Sequence, residues 1–216
     1  MALSPSAAIL LRKVTTLIFP RTCQAKDGPL IIVRPAQIGD AVCIIANINV
    51  IAAEEIYLQT DSFIQTPSWK AALRESNDPQ AGLLLIVPVI GSAVIGHLRV
   101  FPGEYGARDR HVGSIGVALL PPYRGMGIGT ALLSIALDWT LHAGFGKLEA
   151  YVIASNLRAR RLFEKFGFAI AGVRQQHLKI RDWYEDELIL ARSVQVAQEQ
   201  SPIYAAQQLS VWQEGP

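Results

Sequence analysis

The sequence predicts a single α/β domain with a mixed central β-sheet flanked by helices. Three observations carry that expectation. Short apolar runs alternate with stretches of helical periodicity along most of the chain. The second half reads strand–helix–strand–helix–strand–strand. A glycine-rich turn, Arg124-Gly125-Met126-Gly127-Ile128-Gly129, joins a strand to the helix that follows it. The chain has 216 residues, 50% of them apolar, which is enough for one sizeable core.

The elements follow in order. Pro29 to Arg34 is a short apolar run, read as the first strand. Gly39-Asp40 opens an apolar-periodic stretch through Ile56, one or two helices. A loop from Asp61 leads to a helix around Trp69 to Arg74, and Asn77-Asp78-Pro79 reads as its closing turn. Leu83 to Val87 and Ala93 to Val100 are paired strands about a Gly91-Ser92 turn. Pro102 to Arg110 is polar and forms an exposed loop. His111 to Leu120 is the fourth strand, stopped by Pro121-Pro122, which lack ladder donors. Gly127 to His142 has helical spacing at Ile128, Leu132, Leu133, Ile135, Ala136 and Trp139, and ends at Gly144 and Gly146. Lys147 to Ile153 is a strand. Asn156 caps a helix that runs to Lys165 and stops at Gly167. Phe168 to Ile180, with an irregularity near Gly172, and Trp183 to Ala191 are the closing strands. The division expected is an arm over residues 1–28, the domain over 29–192 and a Gln- and Ser-rich tail over 193–216.

Composition excludes several classes. Charged residues are 18% and the net charge is +2, so neither a disordered charged protein nor a nucleic-acid binder is implied. Cys23 and Cys43 stand apart from each other and from any metal-ligand spacing, which fits a reducing, cytoplasmic setting without metal. The longest apolar stretch, Gly82 to Gly96, is broken by Pro88, Gly91 and Ser92, so no membrane span is expected. Residues 1–26 carry Arg12, Lys13, Arg21 and Lys26 and no acid, a bias shared by organelle-targeting segments and by ordinary basic arms.

The glycine turn is the central chemical signal. Glycines permit unusual dihedrals and remove bulk, so backbone N–H groups at a helix start can converge on an anion. A dinucleotide fingerprint needs GxGxxG after a first strand; here the spacing is GxGxG, preceded by Arg124, after the fourth. A P-loop needs a Gly-Lys-Ser/Thr ending, which is missing. A purely structural turn that lets strand and helix pack remains open on these residues alone.

The run Arg124-x-x-Gly127-x-Gly129 between strand and helix resembles the acyl-CoA signature of the GNAT N-acetyltransferase superfamily. Asn156-Leu157-Arg158-Ala159-Arg160-Arg161-Leu162-Phe163-Glu164-Lys165-Phe166-Gly167-Phe168 is similar to that family's Asn-x-x-Ala-x-x-Leu-Tyr-Glu-Lys-x-Gly-Phe element. Ala171 to Arg174 with Tyr184 to Glu187 resembles the closing strands of its protein- and amine-acetylating branches. Val33 to Ala36 with Asp40 resembles its opening. The resemblance spans roughly residues 30 to 192 and implies a GNAT-like fold with acetyl-CoA as acyl donor.

It further implies direct acetyl transfer to a primary amine: a protein N-terminus, a lysine or a small amine. By the same resemblance, the strand before the turn splays from its neighbour, and Val117, Ala118 and Leu119 bond the pantetheine arm. Arg124, Gly125, Met126, Gly127, Ile128, Gly129 and Thr130 hold the diphosphate, with Arg124 adding charge, and Asn156 bonds the arm from the next helix. The basic face Arg158, Arg160, Arg161 and Lys165 lies on the cofactor side or is simply solvated. The family's acidic Tyr is replaced by Phe163, which has no proton to give. Tyr184 and Tyr151 are the candidate acids; His111 and Glu149, with Glu104 and Asp109 behind them, are the candidate bases. Glu185, Asp186 and Glu187 stand beside Trp183-Tyr184 and are candidates to recognise an amine. The closing strands offer a place for homodimer pairing, though no residue pattern establishes it. A non-catalytic acyl-CoA-binding module of the same fold and an unrelated nucleotide-binding enzyme are the competing readings.

Overall fold

A computed structural model describes residues 19–194, apart from 27, 64 and 65. The basic residues Arg12 and Lys13 and residues 195–216 of the expected tail lie outside the described residues.

Among the described residues, ten strands form one sheet. They are β1 (Arg21–Gln24), β2 (Leu30–Pro35), β3 (Asn77–Asp78), β4 (Leu83–Ile90), β5 (Ala93–Val94), β6 (Gly96–Pro102), β7 (Val112–Leu119), β8 (Lys147–Ile153), β9 (Ala169–Ile180) and β10 (Trp183–Ser193). The order across the sheet is β1-β2-β4-β6-β7-β8-β10-β9, with β3 and β5 pairing to β4. Every pairing is antiparallel except β7 with β8. Four α-helices flank it: α1 (Ala41–Ala52), α2 (Pro67–Arg74), α3 (Ile128–His142) and α4 (Leu157–Lys165).

The sheet separates two cores. Leu84, Ile86, Leu98, Val100 and Ile115 face α3, packing with Leu132, Leu133, Ala136 and Trp139. Leu83, Leu85, Val87 and Phe101 face the other way, toward Ile44 and Ile48 of α1 and Ala72 of α2. The near-continuous apolar run of β4 follows from this, because a central strand covered on both faces must be apolar throughout. Arg34 and Asp40 fasten β2 to the start of α1 through two hydrogen bonds of 2.7 and 2.9 Å.

Two expectations change, at Asn77-Asp78 and at the end of the first helix. Asn77-Asp78, read as a turn, makes a short strand against Leu83 and Leu84, and Asn77 accepts a hydrogen bond from the Trp139 indole at 2.8 Å. Within the expected arm, Arg21–Gln24 pairs with β2, and the Lys26 N–H donates to the Met126 carbonyl at 3.0 Å. The stretch read through Ile56 as one or two helices ends its helix at Ala52, and Glu55 just beyond it takes a positive φ of 55°. The last strands form one long hairpin whose register shifts between Glu185 and Glu187 and again between Ile189 and Leu190. No helix among the described residues is long and apolar enough to cross a membrane.

Candidate functional site

The parallel contact of β7 with β8 lasts only three residue pairs, Val112 with Lys147 to Ser114 with Glu149. Beyond them the strands part, so the edge of β7 from Ile115 to Leu119 faces a cleft instead of a partner. A cavity of about 710 Å³ fills the gap. Residues 115 to 119, Gly125, Gly127, Gly129, Thr130 and Asn156 line it from the cofactor-turn side. Ile51, Tyr57, Leu58 and Gln59, from α1 and the loop after it, line it from the other. A volume of this size suits a small-molecule ligand.

The turn is shaped for an anion. Gly125 and Gly127 have φ of 80° and 81°, a left-handed conformation that side chains disfavour. A Cβ on either would meet nothing within 4 Å, so both face open space. The N–H groups from Gly125 to Thr130 have no hydrogen-bond acceptor among the described residues; the first intrahelical bond of α3 is Ala131 N–H to Gly127 at 3.1 Å. The first turn of α3 carries no acidic residue. Gly129 serves packing instead: a Cβ there would lie 3.2 Å from Leu162 of α4. Ile128 is buried in the core, so only its backbone is available. Met126 packs against the same core, and its carbonyl is taken by Lys26.

Arg124 departs from expectation. Its N–H already donates to Pro121 at 3.3 Å, so the nest begins at Gly125. Its side chain turns away from the nest: Nε donates to the Leu119 carbonyl at 2.8 Å, and the two terminal nitrogens bond both carboxylate oxygens of Glu54 at 2.8 and 2.5 Å. The guanidinium also sits 4.3 Å above the Tyr57 ring. Arg124 still lines the cavity, and further charge along it comes from α4, where Arg158, Arg161 and Lys165 line it as well. Arg160, grouped with them in the sequence reading, is held by Glu164 at 2.7 Å. Asn156 caps α4 by accepting from the Ala159 N–H at 3.0 Å, and the same residue lines the cavity.

The residues present therefore fit an acyl-CoA. Free N–H groups and three cations would meet its phosphates, and an unpaired strand edge would receive the extended arm. Bound there, the donor supplies an activated thioester carbonyl.

The four candidate acids and bases are not brought together. Tyr151 lines the cavity, and its hydroxyl donates to Glu149 at 2.9 Å. Burial and that hydrogen bond raise the pKa of Tyr151. Burial works to raise Glu149 as well, but hydrogen bonds from Lys147, at 2.5 Å, and from Tyr151 outweigh it and lower the carboxyl. Tyr184 is 61% exposed at the start of β10, outside the cavity. His111 is exposed at the opposite end of β7 from the cleft. Phe163 lines the cavity and packs edge-on to Phe168 at 5.1 Å.

Of the three adjacent acids that follow Tyr184, Glu187 is the one that lines the cavity; it is buried, and Oε2 accepts from Arg174 at 2.9 Å. Two further residues of the cavity escaped the sequence reading, His97 and Arg99 of β6, which also line it. Their signal was two polar residues alternating within an otherwise apolar strand. Among the described residues no cluster of three or more His, Cys, Asp or Glu is arranged to hold a metal.

Comparison with known proteins agrees with this geometry. The model of the Acetyltransferase (GNAT) family matches residues 50–168, more than half of the chain. The chain is 25% identical over 175 residues to the "Probable N-acetyltransferase YjcK" of Bacillus subtilis, covering 76% of this chain and 94% of that one. It is 36% identical over 75 residues to the [Ribosomal protein bS18]-alanine N-acetyltransferase of Escherichia coli, covering 35% of this chain and 51% of the relative. Its fold is similar to a GNAT superfamily phosphinothricin acetyltransferase of Sinorhizobium meliloti in complex with acetyl-CoA, at a TM-score of 0.68 and 20% identity, over 80% of this chain and 94% of that one. The chain belongs to the GNAT family and is an acetyl-CoA-dependent N-acyltransferase.

Proposed function

We propose that the protein moves an acetyl group from acetyl-CoA to a primary amine by direct attack of the amine on the thioester. The observation that carries this reading is the parting of β7 and β8 after Ser114, which joins a phosphate nest at one end to a polar acceptor pocket at the other.

Each residue's part follows from its place. The N–H groups of Gly125 to Thr130, with Arg158, Arg161 and Lys165, hold the anionic end of the donor. Val117, Ala118 and Leu119 offer a strand edge to its arm, and Asn156 holds the arm from the α4 side. An N–H of the unpaired edge stabilises the charge that develops on the thioester oxygen. The amine must shed a proton before it attacks. Glu187 is the carboxylate that lines the pocket; its Oε1 has no hydrogen-bond partner among the described residues, so it draws the ammonium in. Tyr151 donates to Glu149, so its oxygen is left to accept a hydrogen bond from the amine, while the amine's proton passes to the Glu187 carboxylate and on to water. Phe163 has no proton for the departing thiolate, which leaves as a fair leaving group in its own right. The free cysteines Cys23 and Cys43 fit a reducing, cytoplasmic setting.

The reading is tested by incubating the protein with acetyl-CoA and pooled amines, following thiol release and acceptor mass together. Matched release and mass gain is the expected result. Tight coenzyme A binding with no transfer to any amine would favour a non-catalytic module.

A further inference from the structure

Alternation along β6 sends Leu98 and Val100 into the core beneath α3, and His97, Arg99 and Phe101 toward α1 and α2. His97 and Arg99 therefore stand in the acceptor half of the cavity. Neither has a proper partner. Arg34, Arg124, Arg160, Arg174 and Arg181 each pair with a carboxylate, whereas no carboxylate reaches Arg99 among the described residues. Its contacts are the Ser114 hydroxyl at a long 3.5 Å and the Phe101 ring at 5.1 Å. His97 is 5% exposed, and its Nδ1 is the one buried side-chain polar atom without a hydrogen bond among the described residues.

A buried polar atom without a partner is rare in folded proteins, and His97 Nδ1 stands beside the half-buried Arg99, which lacks a carboxylate partner, in the same cavity; the pair calls for a ligand. The facing strand leaves room for one. His97 and Arg99 lie opposite Ala118 and Gly116 on β7, the smallest side chains available. Burial, and then the charge of Arg99, hold the His97 pKa down to about 3, so the ring is neutral and donates without adding a second charge. Burial also lowers the Arg99 pKa, but a guanidinium stays charged at neutral pH.

We propose that Arg99 and His97 form a carboxylate-binding subsite, so that the acceptor is a small amine that also carries a carboxylate, such as a free amino acid. The guanidinium grips the carboxylate at two points and Nδ1–H of His97 donates to it. Glu187, on the β10 side of the same cavity, faces the ammonium end. An amine at the start of a protein chain has no such neighbouring carboxylate, so the subsite selects against protein N-termini. The proposal rests on the acyl-transfer reading and adds the acceptor class to it.

The test compares free L-amino acids with their C-terminal amides and with short peptides, using the full chain and acetyl-CoA. The wild-type protein is expected to prefer acids over amides by at least about 30-fold in kcat/KM, because a site built around a charge rejects the analogue lacking it. Arg99→Met abolishes that preference through KM for the acid, leaves acetyl-CoA affinity unchanged by calorimetry, and Arg99→Lys restores part of it. Amides or peptides acetylated as readily as acids by the wild type would overturn the subsite and leave the acyl-transfer reading intact. No transfer to any amine would overturn both. The wild-type comparison needs no variant, so a poorly folding substitution cannot shield the proposal.

Discussion

Arg124 and Glu54 meet in a two-point ion pair across 70 residues of sequence, at 2.8 and 2.5 Å. The same guanidinium holds the Leu119 carbonyl and covers Tyr57. One side chain thus ties the end of β7, the glycine turn and the loop after α1 together. It spans the glycine-turn side and the α1 side of the cleft. The planar fork of Arg suits this three-way contact, and a lysine could not reproduce it. Arg124→Met is expected to cost about 1–3 kcal/mol of stability, since Glu54 loses its partner in a half-buried site. Urea denaturation measures that loss. A double-mutant cycle with Glu54→Gln should give a coupling of about 1 kcal/mol or more. KM for acetyl-CoA should rise in the same variants, because the turn loses its anchor.

Gly127 and Gly129 make a matched pair of probes. Gly127→Ala puts a Cβ on a residue with φ of 81°, a strain of roughly 1–2 kcal/mol, and points it into the nest. Acetyl-CoA affinity should fall by at least about tenfold, or 1.4 kcal/mol, in calorimetry. Gly129→Ala instead crowds Leu162, the tip of a flexible side chain. It should lower the melting temperature with little change in affinity. Equal loss of affinity in both would place the nest elsewhere.

The proton route divides three residues. Glu187→Gln should lower kcat/KM by about 100-fold or more, as removal of a group that handles the amine proton does. Tyr151→Phe should lower kcat while leaving acetyl-CoA binding intact. Tyr184→Phe, at an exposed position outside the cavity, should change neither. A loss confined to Tyr184→Phe would move the reaction away from the β7–β8 cleft.

Asp40 links stability to pH. The hydrogen bond from Arg34 lowers its pKa, and burial, which acts to raise it, does not offset that. The folded value therefore lies below the ordinary 3.8. The stabilisation is fully present above that ordinary value and is lost as pH falls through the folded one. Asp40→Asn should be destabilised at neutral pH, and its deficit against wild type should shrink only below about pH 4. Denaturant midpoints across pH measure this.

What could be read from the residues alone was local. The glycine turn, the periodic face of α3 and the Asn156 cap are each written within one short stretch, and each appears where the sequence places it. Long-range partners were not legible. Nothing near Arg124 names Glu54 as its partner, so the brace its side chain makes beside the glycine turn was not legible. Asn77-Asp78 has turn chemistry, but Trp139 and β4 draw it into the sheet. His97 and Arg99 were hidden inside an apolar strand, where alternation marks the face but not the cavity it borders. Tyr184 shares β10 with the buried Glu187, yet it stands at the exposed start of that strand and is left in solvent.

Passage of acetyl from coenzyme A to an amine through the β7–β8 cleft has one decisive measurement. Thiol release and acceptor mass gain are followed together in a single reaction of the wild-type chain, and the reaction is repeated with Gly127→Ala. Stoichiometric release and acetylation are expected, both reduced in the variant at limiting acetyl-CoA and recovering as the donor is raised. Thiol release without an acetylated acceptor, or transfer by the variant that is indifferent to donor concentration, would contradict this role for the cleft.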